Sequence, residues 1–411
     1  MTGLASMSPS MSLRAVRAAA RAAAAIGGRP RLEPAALLRA ARRRARLDDF
    51  GAGAWRDGLE RLCHALETEA RLHPLGRWIV REQLIGHLVT RLRLQATLEA
   101  HPRLRTATLA APVVVITGMQ RTGTTKLQRL LAADPDAGAL LSWQAVEPVP
   151  DPRRSRDDAG RIARARRAER ALRWMAPEFF AIHPVEHRAP EEDVLLLDPT
   201  FHSTTAEAMW HVPSFSRWLE AQDHREAYET LRLLLVILQE QQPRRWWVLK
   251  TPHHLEFLEA LHAVIPEARV VWTHRDPLTT VPSFCSMVTH GRRIFSDAVD
   301  PHSVGAQWSA KVARMVERGL AFRAAHETPV LDISYDDLLD DPLATIERIY
   351  AFAGLSLETP ARSAMEQALR VQVQHRYGIH RYHLDDFGLD AASLAQGFGA
   401  YRERFGFAPT R

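Results

Sequence analysis

Short apolar runs alternate along the chain with longer segments of helical periodicity. After the first of these runs, Leu127, Leu130 and Leu131 share one face of a segment with helical spacing. Strands that alternate with helices predict an α/β fold, in which helices cover both faces of a parallel sheet. Four runs have the length and the β-branched or aromatic content of buried strands: VVVIT from Val113, WWVLK from Trp246, ARVVWTH from Ala268 and PVLDIS from Pro329.

The part of the chain before the first strand has a different pattern. Leucines such as Leu59, Leu62 and Leu66 recur at helical spacing, so we expect residues 32–111 to be a helical N-terminal region packed on an α/β domain of residues 112–411. Residues 1–31 are rich in Ala, Arg and Ser and predict a flexible leader. No apolar run approaches the roughly 20 residues that a membrane span needs, so no transmembrane segment is expected.

Composition and charge narrow the class of protein. With 411 residues, 46% of them hydrophobic, the chain can bury a large core. The formal charge of +6 comes from arginine, because Lys126, Lys250 and Lys311 are the only lysines. The basic run at residues 42–44 is typical of a solvated helix face. Two distant cysteines form no metal-binding or disulfide pattern, which favours a cytoplasmic location.

The first apolar run leads into TGMQRTGTTKL, the pattern of a strand, a glycine-bounded turn and a helix. Backbone N–H groups at such a helix start have no intrahelical partner and attract phosphate or sulfate. Gly118 and Gly123 have the spacing of an ATP-binding P-loop, but Thr124 stands at the lysine position. No later strand ends in the buried aspartate that would hold magnesium. The loop therefore indicates an anion site that differs from that of ATP.

A second motif, VVWTHRDPLTTVPSF, places Arg275 at a strand end and Ser283 eight residues later. Together with the RTGTT loop, it resembles the sulfotransferases that use 3′-phosphoadenosine 5′-phosphosulfate (PAPS), and in particular their bacterial branch. The likeness extends from about residue 45 to 411 through DFGAG, LSWQAVEPVP, WVLKTPHHL and HRYHLDDFGLD. The resemblance implies a P-loop-NTPase-like parallel sheet flanked by helices, with PAPS as sulfuryl donor and no metal.

The same resemblance implies which residues bind the donor. Arg275 and Ser283 match the pair that grips the 3′-phosphate, and Arg381 is a candidate third contact. A dianionic phosphate suits a bidentate guanidinium together with a hydroxyl donor. The residues implied to cradle the 5′-phosphosulfate are Arg121, Thr122, Gly123, Thr124, Thr125 and Lys126.

Candidate catalytic residues follow from the charge that sulfuryl transfer develops. Lys250, at the end of its strand, matches the lysine that related enzymes place near the transferring group. With Arg121 it would stabilise the growing negative charge. The acceptor must also lose a proton to a positioned base, for which His254 is the first candidate and Glu192 the second. His253 and Glu191 stay open, and Gln144 stands where relatives often carry glutamate.

Two other functions compete with this interpretation. One is an ATP-dependent phosphotransferase, and the other is a non-catalytic nucleotide-binding or nucleic-acid-binding protein. The acceptor is expected to be a small or lipid-like molecule with a hydroxyl, less favourably an amine, and no nucleic-acid partner is expected. The oligomeric state stays open. Six aromatic residues indicate an apolar acceptor pocket or core positions, and they are Trp143, Trp174, Phe179, Phe180, Trp210 and Trp218.

Overall fold

The apolar runs pair into one parallel sheet of five strands in the computed structural model, which describes residues 10–151, 153, 158–371 and 382–407. The strand order is β2-β3-β1-β4-β5, which confirms the α/β fold. The four predicted runs are all strands, whereas the short β2 was not predicted because its sequence, AGA, has no β-branched or aromatic residue. The strands are β1 Val113–Gly118, β2 Ala137–Ala139, β3 Trp246–Lys250, β4 Ala268–His274 and β5 Val330–Ser334.

Helices make up most of the rest of the described chain. Four precede the sheet: α1 Met11–Ala23, α2 Pro34–Ala45, α3 Trp55–Thr68 and α4 Pro74–Ala100. The helices between β1 and β4 are α5 Thr124–Leu131, α6 Ser142–Val146, α7 Asp158–Met175, α8 Pro177–Ile182, α9 Thr205–Met209, α10 Pro213–Glu220, α11 Arg225–Gln241, α12 His253–Glu256 and α13 Leu258–Val264. The remainder are α14 Pro277–Arg292, α15 Pro301–Ala325, α16 Tyr335–Asp340, α17 Pro342–Ala353, α18 Thr359–Val371, α19 Ala391–Gly397 and α20 Gly399–Arg404.

Each face of the sheet has its own hydrophobic core. Val113 and Val115 of β1 point to the face covered by α11, α13, α14 and α15. Val114 and Ile116 alternate with them and point to the face covered by α5, α17 and α18. Because successive strand residues face opposite sides, a strand covered on both sides must be apolar throughout. This requirement explains the uninterrupted VVVI run.

The N-terminal helices share a third core. Leu37 of α2, Leu59 of α3 and Leu84 of α4 pack there with Trp210 and Phe215, so this core also includes the segment of α9 and α10. We expected a flexible leader over residues 1–31, and the described part of that range includes helix α1, which packs on α4. Among helices in the described ranges, none is both long enough and apolar enough to cross a membrane.

A buried ammonium group ties α15 to three other helices. Lys311 is only 2% exposed, and its Nζ lies 2.7 Å from Glu256 Oε2, 2.9 Å from Glu207 Oε1 and 3.4 Å from Glu220 Oε1. Burial lowers the pKa of Lys311. The carboxylates of Glu207 and Glu256 raise it by more, so the pKa lies above the ordinary value for lysine. The cluster thereby fixes α12, which directly follows β3.

Replacing this lysine tests how far the fold depends on the cluster. Lys311→Met leaves Glu207 buried without its cation and leaves Glu256 with only the more distant Arg314 and Arg318, and we expect it to lower the free energy of unfolding by about 3–5 kcal/mol. Denaturant unfolding followed by circular dichroism measures the effect. The control is Arg103→Met, which removes an exposed ion pair with Glu240 and should leave stability nearly unchanged. Equal stabilities of the two variants would contradict the interpretation.

Candidate active site

The sheet topology creates a crevice beside its central strand. β1 and β4 pair in parallel from Val113 opposite Ala268 to Gly118 opposite Thr273. The chain leaves β1 through α5 toward β2 at one edge, and leaves β4 through α14 and α15 toward β5 at the other. Ligands of open parallel sheets bind outside the carboxyl ends of strands at such a switch point.

The turn after β1 needs three residues with positive φ. Gly118, Arg121 and Gly123 have φ values of +142°, +71° and +88°. A Cβ on Gly118 would lie 2.5 Å from the carbonyl oxygen of Thr273, so only glycine fits beside β4. Helix α5 begins at Thr124 without a side-chain cap, and the N–H groups of its first turn are therefore available to an anion.

Threonines in the turn have different roles. Thr122 Oγ1 lies 2.6 Å from Thr273 Oγ1 and donates to the carbonyl of Met119 at 2.7 Å. Both threonines are buried. The Thr122 hydroxyl thus joins the turn to β4, which leaves its backbone to contact a ligand. Thr124 is also buried, whereas Thr125 is exposed at the start of α5.

Arg121 connects the turn to the second motif. Its Nε donates to Ser283 Oγ at 3.2 Å, and its carbonyl accepts from Arg275 Nη1 at 3.2 Å. The Arg275 guanidinium also stacks on the ring of Tyr335, 4.0 Å from the ring centre. Two guanidinium groups, the Ser283 hydroxyl and the start of α5 therefore lie at one end of the sheet, a set of donors suited to a multiply charged anion.

Lys250 lies beside the same turn. Its side chain is 2% exposed, and its Nζ donates to Glu192 Oε1 at 2.8 Å and to Thr125 Oγ1 at 3.4 Å. The other carboxylate oxygen of Glu192 accepts from Thr251 Oγ1 at 3.2 Å. Glu192 thus holds the ammonium group against the first turn of α5, so three residues predicted from the sequence lie together.

His254 occupies a different environment from the one we expected. It is 0% exposed, with Nδ1 2.8 Å from Tyr228 Oη and Nε2 2.7 Å from Asp193 Oδ2. Asp193 also accepts from the backbone N–H of Lys250 at 2.7 Å. With both ring nitrogens next to protein partners and no exposed surface, His254 is placed to support the end of β3. This geometry favours a positioning role over the general-base role predicted from the sequence.

The remaining predicted residues lie around this centre. Lys126 Nζ donates to the carbonyl of Leu338 at 3.4 Å, so its side chain points toward α16 and away from the turn. His253 is buried, with Nδ1 3.1 Å from Thr204 Oγ1. Gln144 Oε1 accepts from the backbone N–H of Leu141 and caps α6. Arg381 lies outside the described residues.

Two residues near the site were missed. Tyr335, at the start of α16, supports Arg275, and its ring would lie 3.1 Å from a Cβ on Gly123. His183 follows α8, which packs on the helix that carries Ser283. Burial lowers the pKa of His183; Glu191 and Glu192 oppose this shift, and Lys250 and Arg121 add to it.

Only one of the predicted pocket aromatics lies beside these groups. Phe179 is 5.9 Å from the His183 ring, measured between ring centres, and packs against Gly291 of α14. Trp143, Trp210 and Phe180 are buried in the protein. Trp218 packs on the N-terminal core, and Trp174 is exposed beside α1. Most of the aromatic residues therefore have a packing role.

The parallel sheet, the glycine-bounded turn and the cations around it define an α/β protein with a set of donors suited to an anion at its switch point. A sequence profile described as the sulfotransferase family matches residues 112–359. This chain therefore belongs to the sulfotransferase family, as the motifs predicted. A search of curated proteins finds no match.

Solved structures agree with this assignment. The chain is 33% identical to sulfotransferase STF1 from Mycobacterium tuberculosis H37Rv, with a TM-score of 0.79 over 89% of this chain and 98% of that one. It is 26% identical to sulfotransferase STF9 from Mycobacterium avium, with a TM-score of 0.82 over 92% and 97% of the two chains. The similarity thus extends beyond residues 112–359 in both comparisons.

The requirement for glycine at the start of the turn is testable. We expect Gly118→Ala to cost about 1–3 kcal/mol of stability, because alanine is strained at positive φ, and to cost more if the contact with Thr273 cannot relax. The matched control is Gly86→Ala in α4, where a Cβ meets nothing within 4 Å and alanine should stabilise the helix. Denaturant unfolding compares the two. A Gly118→Ala protein as stable as the Gly86→Ala protein would show that the turn tolerates a side chain.

Proposed function

We propose that this protein is a PAPS-dependent sulfotransferase that modifies a hydroxyl group of a small or lipid-like acceptor in the cytoplasm. The observation that carries the proposal is the contact of Arg121 with both Ser283 and Arg275. It joins the turn suited to a phosphosulfate to the pair that resembles a 3′-phosphate site. The 3′-phosphate is the group that distinguishes PAPS from ATP.

The residues at this end of the sheet fit such a donor. The turn offers backbone N–H groups at positions where glycine leaves the main chain open. Arg275 and Ser283 would hold the 3′-phosphate, while Arg121, Thr125 and Lys250 would contact the 5′ end, beside the first turn of α5. When bound, the donor supplies a sulfuryl group whose bond to the bridging phosphate oxygen breaks as a bond to the acceptor oxygen forms.

Lys250 and Arg121 supply fixed positive charge where negative charge grows during this transfer. Glu192 keeps the ammonium group of Lys250 directed at Thr125. Behind it, Asp193 accepts from the backbone of Lys250 and contacts His254. We assign Glu192, Asp193 and His254 the task of positioning Lys250, since each acts through this residue or its backbone.

We assign the role of general base to His183. A base must be unprotonated at working pH, and a pKa below the ordinary value of about 6.5 leaves the imidazole neutral at pH 7. His183 is partly exposed, so an acceptor can reach it, in contrast to His254. His183 follows α8, which packs on α14, the helix that carries Ser283, and this contact supports a place near the proposed donor site.

The donor assignment predicts opposite effects of two substitutions. Arg275→Ala should weaken binding of 3′-phosphoadenosine 5′-phosphate roughly 10- to 100-fold, the value of charge-assisted hydrogen bonds. Lys250→Ala should largely preserve this binding and lower kcat about 10²- to 10³-fold. Isothermal titration and a labelled-sulfate transfer assay measure the two effects, with Arg103→Ala as the control. Tighter binding of ATP than of 3′-phosphoadenosine 5′-phosphate would refute the proposed donor.

The assignment of the base predicts a change in pH dependence. Activity of the unmodified enzyme should rise with pH through the lowered pKa of His183, because only the neutral ring accepts a proton. His183→Ala should lower kcat roughly 10²- to 10⁴-fold and remove this acid limb. His254→Asn should lower stability and kcat but retain the limb. If the acid limb persists in His183→Ala and disappears in His254→Asn, the two roles must be exchanged.

A further inference from the structure

The positive charge of the chain is concentrated at its N-terminal end. Residues 10–46, here called the basic segment, contain ten arginines and one glutamate, a formal charge of +9. All other residues together carry −3, because the whole chain carries +6. The proposed donor site lies outside this segment, so its ligand does not account for the accumulation of arginine.

The basic segment also exposes large apolar side chains. Met11 and Ile26 are 85% and 89% exposed, and Val16 is exposed as well. Trp174, another exposed apolar residue, donates from its Nε1 to Ser12 Oγ at 3.2 Å and so lies against α1. The described residues include six large apolar side chains that are exposed to solvent. Four of these six, namely Met11, Val16, Ile26 and Trp174, lie in or beside the basic segment.

The opposite side of α1 is attached to the protein. Leu13 is buried, and Arg17 and Arg21 form ion pairs with Asp297 at 3.4 and 3.1 Å. The less exposed positions, Leu13, Arg17, Ala20 and Ala24, recur at helical spacing, which defines an inward stripe. The outward side consists of exposed alanines, with Val16 at one edge and Arg14 and Arg21 at the other.

We propose that the basic segment docks this enzyme on the surface of an anionic lipid bilayer. A helix with apolar residues on one side and arginines beside them lies in the membrane interface, with its apolar side chains among the lipids. Arginines near the surface are attracted by anionic headgroups. The proposal concerns the surface only and does not depend on the identity of the sulfuryl donor.

Binding to a nucleic acid would account for the arginines but not for the exposed apolar side chains. Its phosphates would attract the arginines and make binding salt-dependent, but exposed Met11, Val16 and Ile26 would gain nothing from the phosphate backbone. A bilayer provides both anionic headgroups and an apolar interior, which matches a segment that carries arginines together with exposed apolar side chains. The apolar residues therefore favour a membrane over a nucleic acid.

Vesicle binding of the full chain tests the proposal. The protein should cosediment with vesicles of phosphatidylcholine containing 30% phosphatidylglycerol, should release at high salt, and should not bind pure phosphatidylcholine vesicles. The triple variant Met11→Ser, Val16→Ser, Ile26→Ser should weaken this binding at least tenfold. Arg39→Gln with Arg43→Gln should reduce its salt dependence. Val146→Ser, an exposed valine outside the segment, is the matched control and should bind normally.

A second measurement reports directly on the proposed contact. An environment-sensitive dye attached at Val16→Cys should shift to the blue on anionic vesicles, whereas the same dye at Val146→Cys should not. The two native cysteines are buried, which limits labelling to the introduced thiol. The proposal is overturned if anionic vesicles do not bind the protein or if the triple variant binds them unchanged. It is also overturned if duplex DNA competes fully with vesicles while the dye at Val16→Cys stays unshifted.

Discussion

The parallel pairing of β1 with β4 is the constraint on which the candidate site depends. The pairing brings Gly118 beside Thr273, so the turns that follow the two strands start at the same edge of the sheet. Arg121 and Arg275, separated by 154 positions in the sequence, thereby come within hydrogen-bonding distance. A side chain at position 118 would force the strands apart. One glycine therefore determines whether the two motifs can form a single anion site.

The segment from Lys250 to Glu256 links this site to the interior. At one end, Lys250 reaches Glu192 and the start of α5; at the other, Glu256 is bound to Lys311. Both lysines are almost fully buried, and apart from Lys126 the other cationic side chains are arginines and histidines. A compact ammonium group can be surrounded by two or three carboxylates, whereas the planar guanidinium demands a fork of acceptors. Two of the three lysines thus occupy positions where small cations are enclosed by protein, whereas Lys126 is half-buried.

Much of the fold could be predicted from the sequence, and so could the residues that the structure brings together at the proposed donor site, because both rest on local patterns. Apolar runs mark buried strands, and the glycines of the turn and the eight-residue spacing of Arg275 and Ser283 are visible without a structure. The short β2 has no such signal. The roles that we propose for His254 and His183 could not be predicted, because they depend on distant partners. Asp193 and Tyr228 enclose the first histidine, and the second lies among charges from three other segments.

The net charge of the chain does not show that its charges serve two different surfaces, the proposed donor site and the basic segment. Outside the basic segment the chain is slightly acidic, so long-range attraction by the bulk of the protein cannot explain an anion site. Charges separated by more than about 8–10 Å are largely screened at physiological ionic strength. The site must therefore rely on Arg121, Arg275, Lys250 and the start of α5, which lie close together. The arginines of residues 10–46 act at another surface, and the overall charge of +6 describes neither.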